Sequence, residues 1–209
     1  MTEDGKSDKK KAGTYHHGNL RTALILETEQ MLTANELDNI TLHELGKRLG
    51  VARSAPYRHF ASKNELLCEV ATRAFTRLTE QDRAIRLETT LNPIERVRKL
   101  AHHYYHFAIN NPDYYRLMYR ENLVGDNASA ELTAAREENF AEFVWLLEEC
   151  QQAGLIETAD LETQALFCWA PFHGICSLII DQHLPEEMFT STLDWHIDAV
   201  LRGLGFKHQ

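Results

Sequence analysis

Arg53, Ser54, Tyr57, Arg58 and His59 crowd hydrogen-bond donors into a stretch too short to hold itself as an isolated helix. Donors on a short rigid element suit the base edges and phosphates of the DNA major groove, and the rigidity has to come from the neighbouring chain. Thr41 followed by Glu44 has the form of a capping box, which starts a helix with its free N–H groups satisfied. Leu42, Leu45 and Leu49 then make a narrow apolar stripe at helical spacing. Gly50 ends that helix where a left-handed residue is needed, and Val51 can pack the corner. Ser62 and Glu65 repeat the capping pattern and open a third helix. Two short helices joined by a tight turn, with another following at once, form a helix-turn-helix pattern. It points to DNA.

The run GVARSAPYRHFASKNELL resembles the DNA-binding region of the TetR family of bacterial transcriptional repressors. In that family an aromatic–x–His–Phe ends the recognition helix and a Lys opens the next. Tyr57, His59, Phe60 and Lys63 stand at those positions. The upstream YHHGNLR, residues 15–21, resembles the start of the family's first helix. One residue departs from the pattern: Ala52 stands where Ser or Thr usually follows Gly-Val. The cap is therefore expected to move to Ser54, leaving Pro56 in the first turn, where a missing N–H costs little. On this reading Arg53, Ser54 and Ala55 meet base edges, Arg suiting guanine and the Ala methyl thymine. Tyr57, His59, Lys63 and the Thr41 cap fix the register on phosphates. His43, on the preceding helix, is a further base-contact candidate, and Arg58 is expected to face solvent or an acid.

At 209 residues the chain suits one or two domains and can bury a sizeable core. Five prolines, with apolar positions at helical spacing nearly throughout, predict an all-α fold. The sequence has no run of about 18 apolar residues, which predicts no transmembrane helix. Its start, MTEDGKSDKKKAGTYHHG, lacks the apolar core of a secretory signal, so a cytoplasmic protein is expected. Cys68, Cys150, Cys168 and Cys176 form no C-x-x-C pair and read as buried reduced thiols, ahead of a redox sensor.

The net charge of −9 is unevenly spread. Residues 1–63 hold ten Lys and Arg against eight acids, net +2, and the rest hold twelve against 23, net −11. Phosphate contacts are local and screened within about 10 Å, so a distant acidic body is compatible with DNA binding. Lys9, Lys10 and Lys11 stand in a polar leader over residues 1–14. That leader fits an arm along phosphates and a plain solvated tail equally well.

Three parts are expected: the leader, a helix-turn-helix domain over 15–62, and a larger helical domain over 63–209. In the larger part helices are expected at 63–87, 93–110, 128–153, 160–181 and 186–204. FCWAPFHGICSLII, with Trp169, His173 and Gly174, resembles the Trp–His–Gly helix of one TetR subfamily's ligand-binding domain. NPDYYRLMY matches a Pro–x–x–Tyr–x–Leu–Met stretch of the same subfamily. Trp169 and His173 share one helix face, Gly174 permits close approach of another helix, and Pro171 is expected to kink the run. The pair fits a pocket wall or a packed core with a satisfied His. His103, Phe107, Tyr114, Tyr115 and Met118 are further candidates for a mostly apolar ligand cavity. The family resemblance implies a homodimer through the last two helices. Leu166, Phe167, Ala170, Leu178, Ile179, Leu193, Ile197, Val200 and Leu201 exceed what one helix stripe needs.

Other chemistry finds less support. His102 and His106 are one turn apart and could share a metal ion with His103 nearby, but spacing supplies no further ligand. Packing and hydrogen bonding is the preferred reading, with no metal and no cofactor expected. His173, Ser177 and Asp181 share one helix, without the strand-to-helix elbow that exposes a nucleophile. No enzyme is expected. An architectural helical module would not need Arg53, Tyr57, His59 and Lys63 at one end. The expectation is therefore a homodimeric repressor that binds palindromic operator DNA and is released by a small-molecule effector. The helix over 63–87 would act as its lever, and an activator role stays open.

Overall fold

The computed structural model describes residues 20–206. The leader over 1–14, with its three lysines, and most of the 15–21 segment lie outside the described residues. Among the described residues every regular element is helical. Nine α-helices follow in order: α1 (Leu20–Thr33), α2 (Leu42–Arg48), α3 (Lys63–Arg86), α4 (Pro93–Asn110), α5 (Pro112–Met118), α6 (Ala130–Gln152), α7 (Leu161–Ile180), α8 (Glu186–Thr190) and α9 (Leu193–Gly203).

The chain's own caps set these boundaries. The Glu44 N–H donates to Thr41 Oγ1 at 3.0 Å, opening α2, and the Glu65 N–H donates to Ser62 Oγ at 3.1 Å, opening α3. The expected return bonds differ. Glu65 reaches past the cap to accept from the Ala61 N–H at 2.7 Å, while Glu44 turns to Lys47 and Arg48. The reciprocal box forms at Asn92 and Glu95, ahead of α4. Gly50, at φ +66°, closes α2, and the Val51 N–H bonds back to Gly46 O at 3.0 Å.

The helix expected over 186–204 is two helices. Thr190, Ser191 and Thr192 each turn a hydroxyl back to the carbonyl four residues earlier, on Glu186, Glu187 and Met188. α8 ends at Thr190 and α9 starts at Leu193, and between them the Thr192 N–H bonds to Phe189 O at 2.9 Å in a tighter turn. Pro171, by contrast, lies inside α7, which continues through it to Ile180.

Two apolar cores share α3. One joins Leu24, Leu32, Leu45 and Phe60 to the first half of α3 and to Leu117, Leu123 and Leu132 of the larger part. The other lies among α4, α6, α7 and α9. α3 pairs most extensively with α6. At that seam the buried Glu142 carboxylate accepts from Arg83 Nε at 2.6 Å and Arg86 Nε at 2.7 Å. The far half of α3 is thereby fastened to the body, while its first half carries the N-terminal helices.

α7 has the length and apolar composition of a membrane-crossing helix, with a mean hydropathy of 1.3 over its most apolar window. That composition was not visible as an unbroken apolar run, because Glu162, Gln164 and His173 interrupt it. One side of α7 packs on α4 and α6. The other leaves Leu166, Phe167 and Leu178 exposed, as α8 leaves Met188 and α9 leaves Trp195. A Cβ on Gly174 would touch nothing among the described residues, so the close helix approach expected there does not occur among them. Gly203 fills that role instead, because a Cβ there would lie 2.7 Å from the Phe167 ring.

Candidate functional site

The segment after α2 forms successive tight turns ending in a single 3₁₀ turn, Pro56–Arg58. The Ala55 N–H bonds to Ala52 O at 2.8 Å, and the His59 N–H bonds to Pro56 O at 3.0 Å. No side chain caps the turn, so the expected helix with Ser54 at its cap is not formed. The reason is local: so short a segment gains too few i→i+4 bonds to repay nucleation. Packing holds it instead. Pro56 and Phe60 are buried, and Gly46 of α2 lets Pro56 approach so closely that a Cβ would lie 3.0 Å from its Cγ. Arg21 clamps the far side, lying 4.8 Å over the Phe60 ring while bonding both oxygens of Glu69.

Held this way, the turn presents Arg53, Ser54, Tyr57, Arg58 and His59 outward, with Ala55 half-buried. Tyr57 is 54 % exposed, a large aromatic left uncovered beside two cations. Among the described residues no acid pairs with Arg53 or Arg58, whereas Arg48 is held by Glu36 at 2.6 Å with Glu27 and Glu44 nearby. His43 and Thr41 are exposed, and the Thr41 hydroxyl is already engaged as a cap. Lys63 is half-buried. Burial and the neighbouring positive charge of Arg120 push its pKa below the usual lysine range, with Asp38 acting the other way. Sequence spacing gave no sign of Arg120, which is 57 residues further along.

A cavity of about 560 Å³ lies in the body, against the second core. Met118, Trp169 and His173 line it. Tyr115 is one bond behind: its hydroxyl meets His173 Nδ1 at 2.6 Å and Tyr104 Oη at 3.0 Å. His103, Phe107 and Tyr114 do not line this cavity. On α4 the wall is made by Val97, Leu100, Ala101 and Tyr104, and His103 and Phe107 share a different face. His103 turns to Asp82 at 2.9 Å and Gln81 at 3.0 Å; Phe107 and Tyr114 pack on the first core. His102 bonds Asp194 at 2.8 Å and stacks on His106.

The cavity's polar atoms are concentrated at one side. Trp169 Nε1 donates to Tyr104 Oη at 3.2 Å, and Tyr119 stacks edge-on to His173 with ring centres 4.5 Å apart. Burial pushes the Tyr119 hydroxyl up to about 12 and lowers His173, so phenols and imidazole stay neutral near pH 7. Cys168, also on the wall, is raised by burial to about 12 and holds its proton. A largely apolar chamber with a few polar groups in its lining has the chemistry that suits a small molecule. Residues that sequence spacing did not single out, Tyr104, Tyr119 and Arg136, complete that side.

A helix-turn-helix head joined through one long helix to a cavity-bearing helical body defines a DNA-binding transcriptional regulator. The comparisons agree. Residues 24–70 match the profile "Bacterial regulatory proteins, tetR family", and residues 97–200 match "Tetracyclin repressor-like, C-terminal domain". The chain belongs to the TetR family, whose members regulate transcription and are not enzymes. A protein of unknown function from Rhodococcus sp. RHA1 is 30 % identical, with 91 % of this chain and 97 % of that one aligned at a TM-score of 0.79. A tetR-family regulatory protein from Rhodococcus RHA1 shares the fold at 15 % identity, covering 91 % and 100 %, with a TM-score of 0.70. So does a TetR/AcrR regulator from Thermobifida fusca at 18 %, covering 89 % and 98 %, with a TM-score of 0.66. No curated protein matches.

Proposed function

We propose that this regulator is a cytoplasmic homodimeric repressor that binds a palindromic operator and releases it when a small molecule fills the body cavity. The observation that carries the reading is that α5 takes part in both ends. Its Met118 forms cavity wall, its Tyr115 bonds the cavity histidine, and its Asp113 binds the head. A ligand that displaces α5 shifts the head only by its differential affinity for the two arrangements. α3, anchored at Glu142 and carrying the head at its other end, is the lever.

Arg53, Ser54 and Ala55 contact base edges in this reading, and Tyr57, His59, Lys63 and Thr41 meet phosphates, with His43 near the groove. The unpaired charge of Arg53 and the repulsion between Lys63 and Arg120 both favour a polyanion. The domain limits are 15–62 for the head and 63–209 for the body. The exposed apolar faces of α7 and α9 seat the second protomer, where the open side of Gly174 admits a partner helix. In this reading the body belongs to the Trp–His–Gly subfamily, which Trp169, His173 and Gly174 support. Selection of bound duplexes from a random pool tests the proposal. An enriched inverted repeat supports it, and an unenriched pool overturns it.

A further inference from the structure

The cavity holds an asymmetry of charge. Three of its charged groups are Asp82, Glu137 and Arg136. Asp82 is answered on both oxygens, by His103 Nδ1 at 2.9 Å and Asn139 Nδ2 at 2.8 Å. Glu137 is exposed to solvent. Arg136 is half-buried, and its guanidinium donates only to backbone carbonyls: Nη1 to Leu123 O at 2.7 Å and Nη2 to Met118 O at 2.8 Å. Among the described residues no carboxylate pairs with it. The Phe75 ring lies 5.6 Å away, and Cys68 and Tyr119 are close enough to act on the charge. Neutral carbonyls orient a guanidinium but leave its charge unanswered in a half-buried place. Much of the remaining lining is apolar and includes Val97, Leu100, Phe140, Phe143 and Phe172.

We infer that the cavity takes an amphipathic carboxylate, its anionic end at Arg136 and its hydrocarbon body along the apolar lining of Val97, Leu100, Phe140, Phe143 and Phe172. The inference rests on the cavity being the effector site and adds the chemical class. A carboxylate gains a charge-assisted bond there, while an alcohol of equal length gains only a neutral one. A cationic amphiphile meets the same Arg136 charge as repulsion. Arg136 also bonds the carbonyl at the end of α5, so an anion drawn to it pulls on the helix that reaches the head.

Isothermal titration of the full chain with decanoate, decan-1-ol and decyltrimethylammonium tests the assignment. Decanoate should bind at least about tenfold tighter than decanol. Arg136→Gln should abolish that ratio while leaving decanol binding within about twofold, which also shows that the variant's cavity is intact. Arg136→Lys should keep most of it. Equal affinities in the wild type, an unchanged ratio in Arg136→Gln, a preference for the ammonium, or no binding of any probe overturns the inference. Should Arg136→Gln not fold, the wild-type ratio decides. Release of operator DNA by decanoate is read separately by anisotropy. Preference without release keeps the anion assignment and refutes the effector reading, and release without preference does the reverse.

Discussion

The Asp113 carboxylate on α5 accepts a hydrogen bond from the Leu37 backbone N–H at 2.8 Å across 76 residues of sequence. Leu37 opens the turn before α2, so this buried contact ties head to body on the helix that also lines the cavity. Arg116 completes the tie by bonding Asp113 Oδ1 at 3.1 Å and Ile180 O at 2.5 Å, reaching the end of α7. Asp113→Asn keeps the shape and removes the charge. Loss of that charge-assisted bond should cost about 1.5–3 kcal/mol in urea unfolding. Hydrogen exchange at the Leu37 amide should quicken. An unchanged exchange rate would show that the head is held by other contacts.

Gly46 is the place where α2 and the reading turn come closest. Gly46→Ala should push Pro56 outward, at a cost of about 1–3 kcal/mol in stability, and weaken operator binding by moving Arg53 and Tyr57. Gly50→Ala serves as a control: its φ of +66° costs about 1–2 kcal/mol with no contact to the turn. Titration of both variants on operator DNA checks this. Equal losses of affinity would contradict it.

Glu142 is 1 % exposed between Arg83 and Arg86. Glu142→Gln leaves two guanidinium groups facing a neutral amide. It should destabilise the protein by about 3 kcal/mol, toward the low end for a broken buried pair because Arg83 is partly exposed. Effector response should weaken together with stability, since this seam is where the lever is anchored. A variant of normal stability and response would place the pivot elsewhere.

Burial lowers the pKa of His173 below its ordinary 6.5. Between the folded and the ordinary value the unfolded chain binds a proton that the folded chain refuses, so stability falls as pH drops through that window. Above the ordinary value His173 contributes no slope. His173→Phe should flatten the acid side of a stability–pH curve relative to wild type and leave the curve near pH 8 parallel to it. An identical acid slope would mean that His173 titrates freely in the fold.

The helical fold was legible because its signals are local: paired caps at Thr41 and Ser62, Gly50, and apolar stripes at helical spacing. The reading head was legible for the same reason, since its donors lie within one short run. What escaped is set by neighbours distant in sequence. The turn at Pro56–Arg58 depends on the space left by Gly46. In the cavity, Trp169, His173 and Met118 were visible as a pattern, but the phase of α4 turns His103 and Phe107 away. Arg136 and Tyr119 become part of the wall only when α5, α6 and α7 are packed together.

The central claim is sequence-specific binding through Arg53 by a dimer. Fluorescence anisotropy of the wild type and Arg53→Ala on DNA flanking the gene, across a salt series with competitor DNA, tests it most directly. The account predicts binding that survives about 150 mM salt at two chains per half-site pair. It also predicts a loss of about 1–3 kcal/mol for Arg53→Ala, while Lys63→Ala lowers the salt slope by about one. Weak binding that vanishes with salt and is indifferent to Arg53 would contradict it.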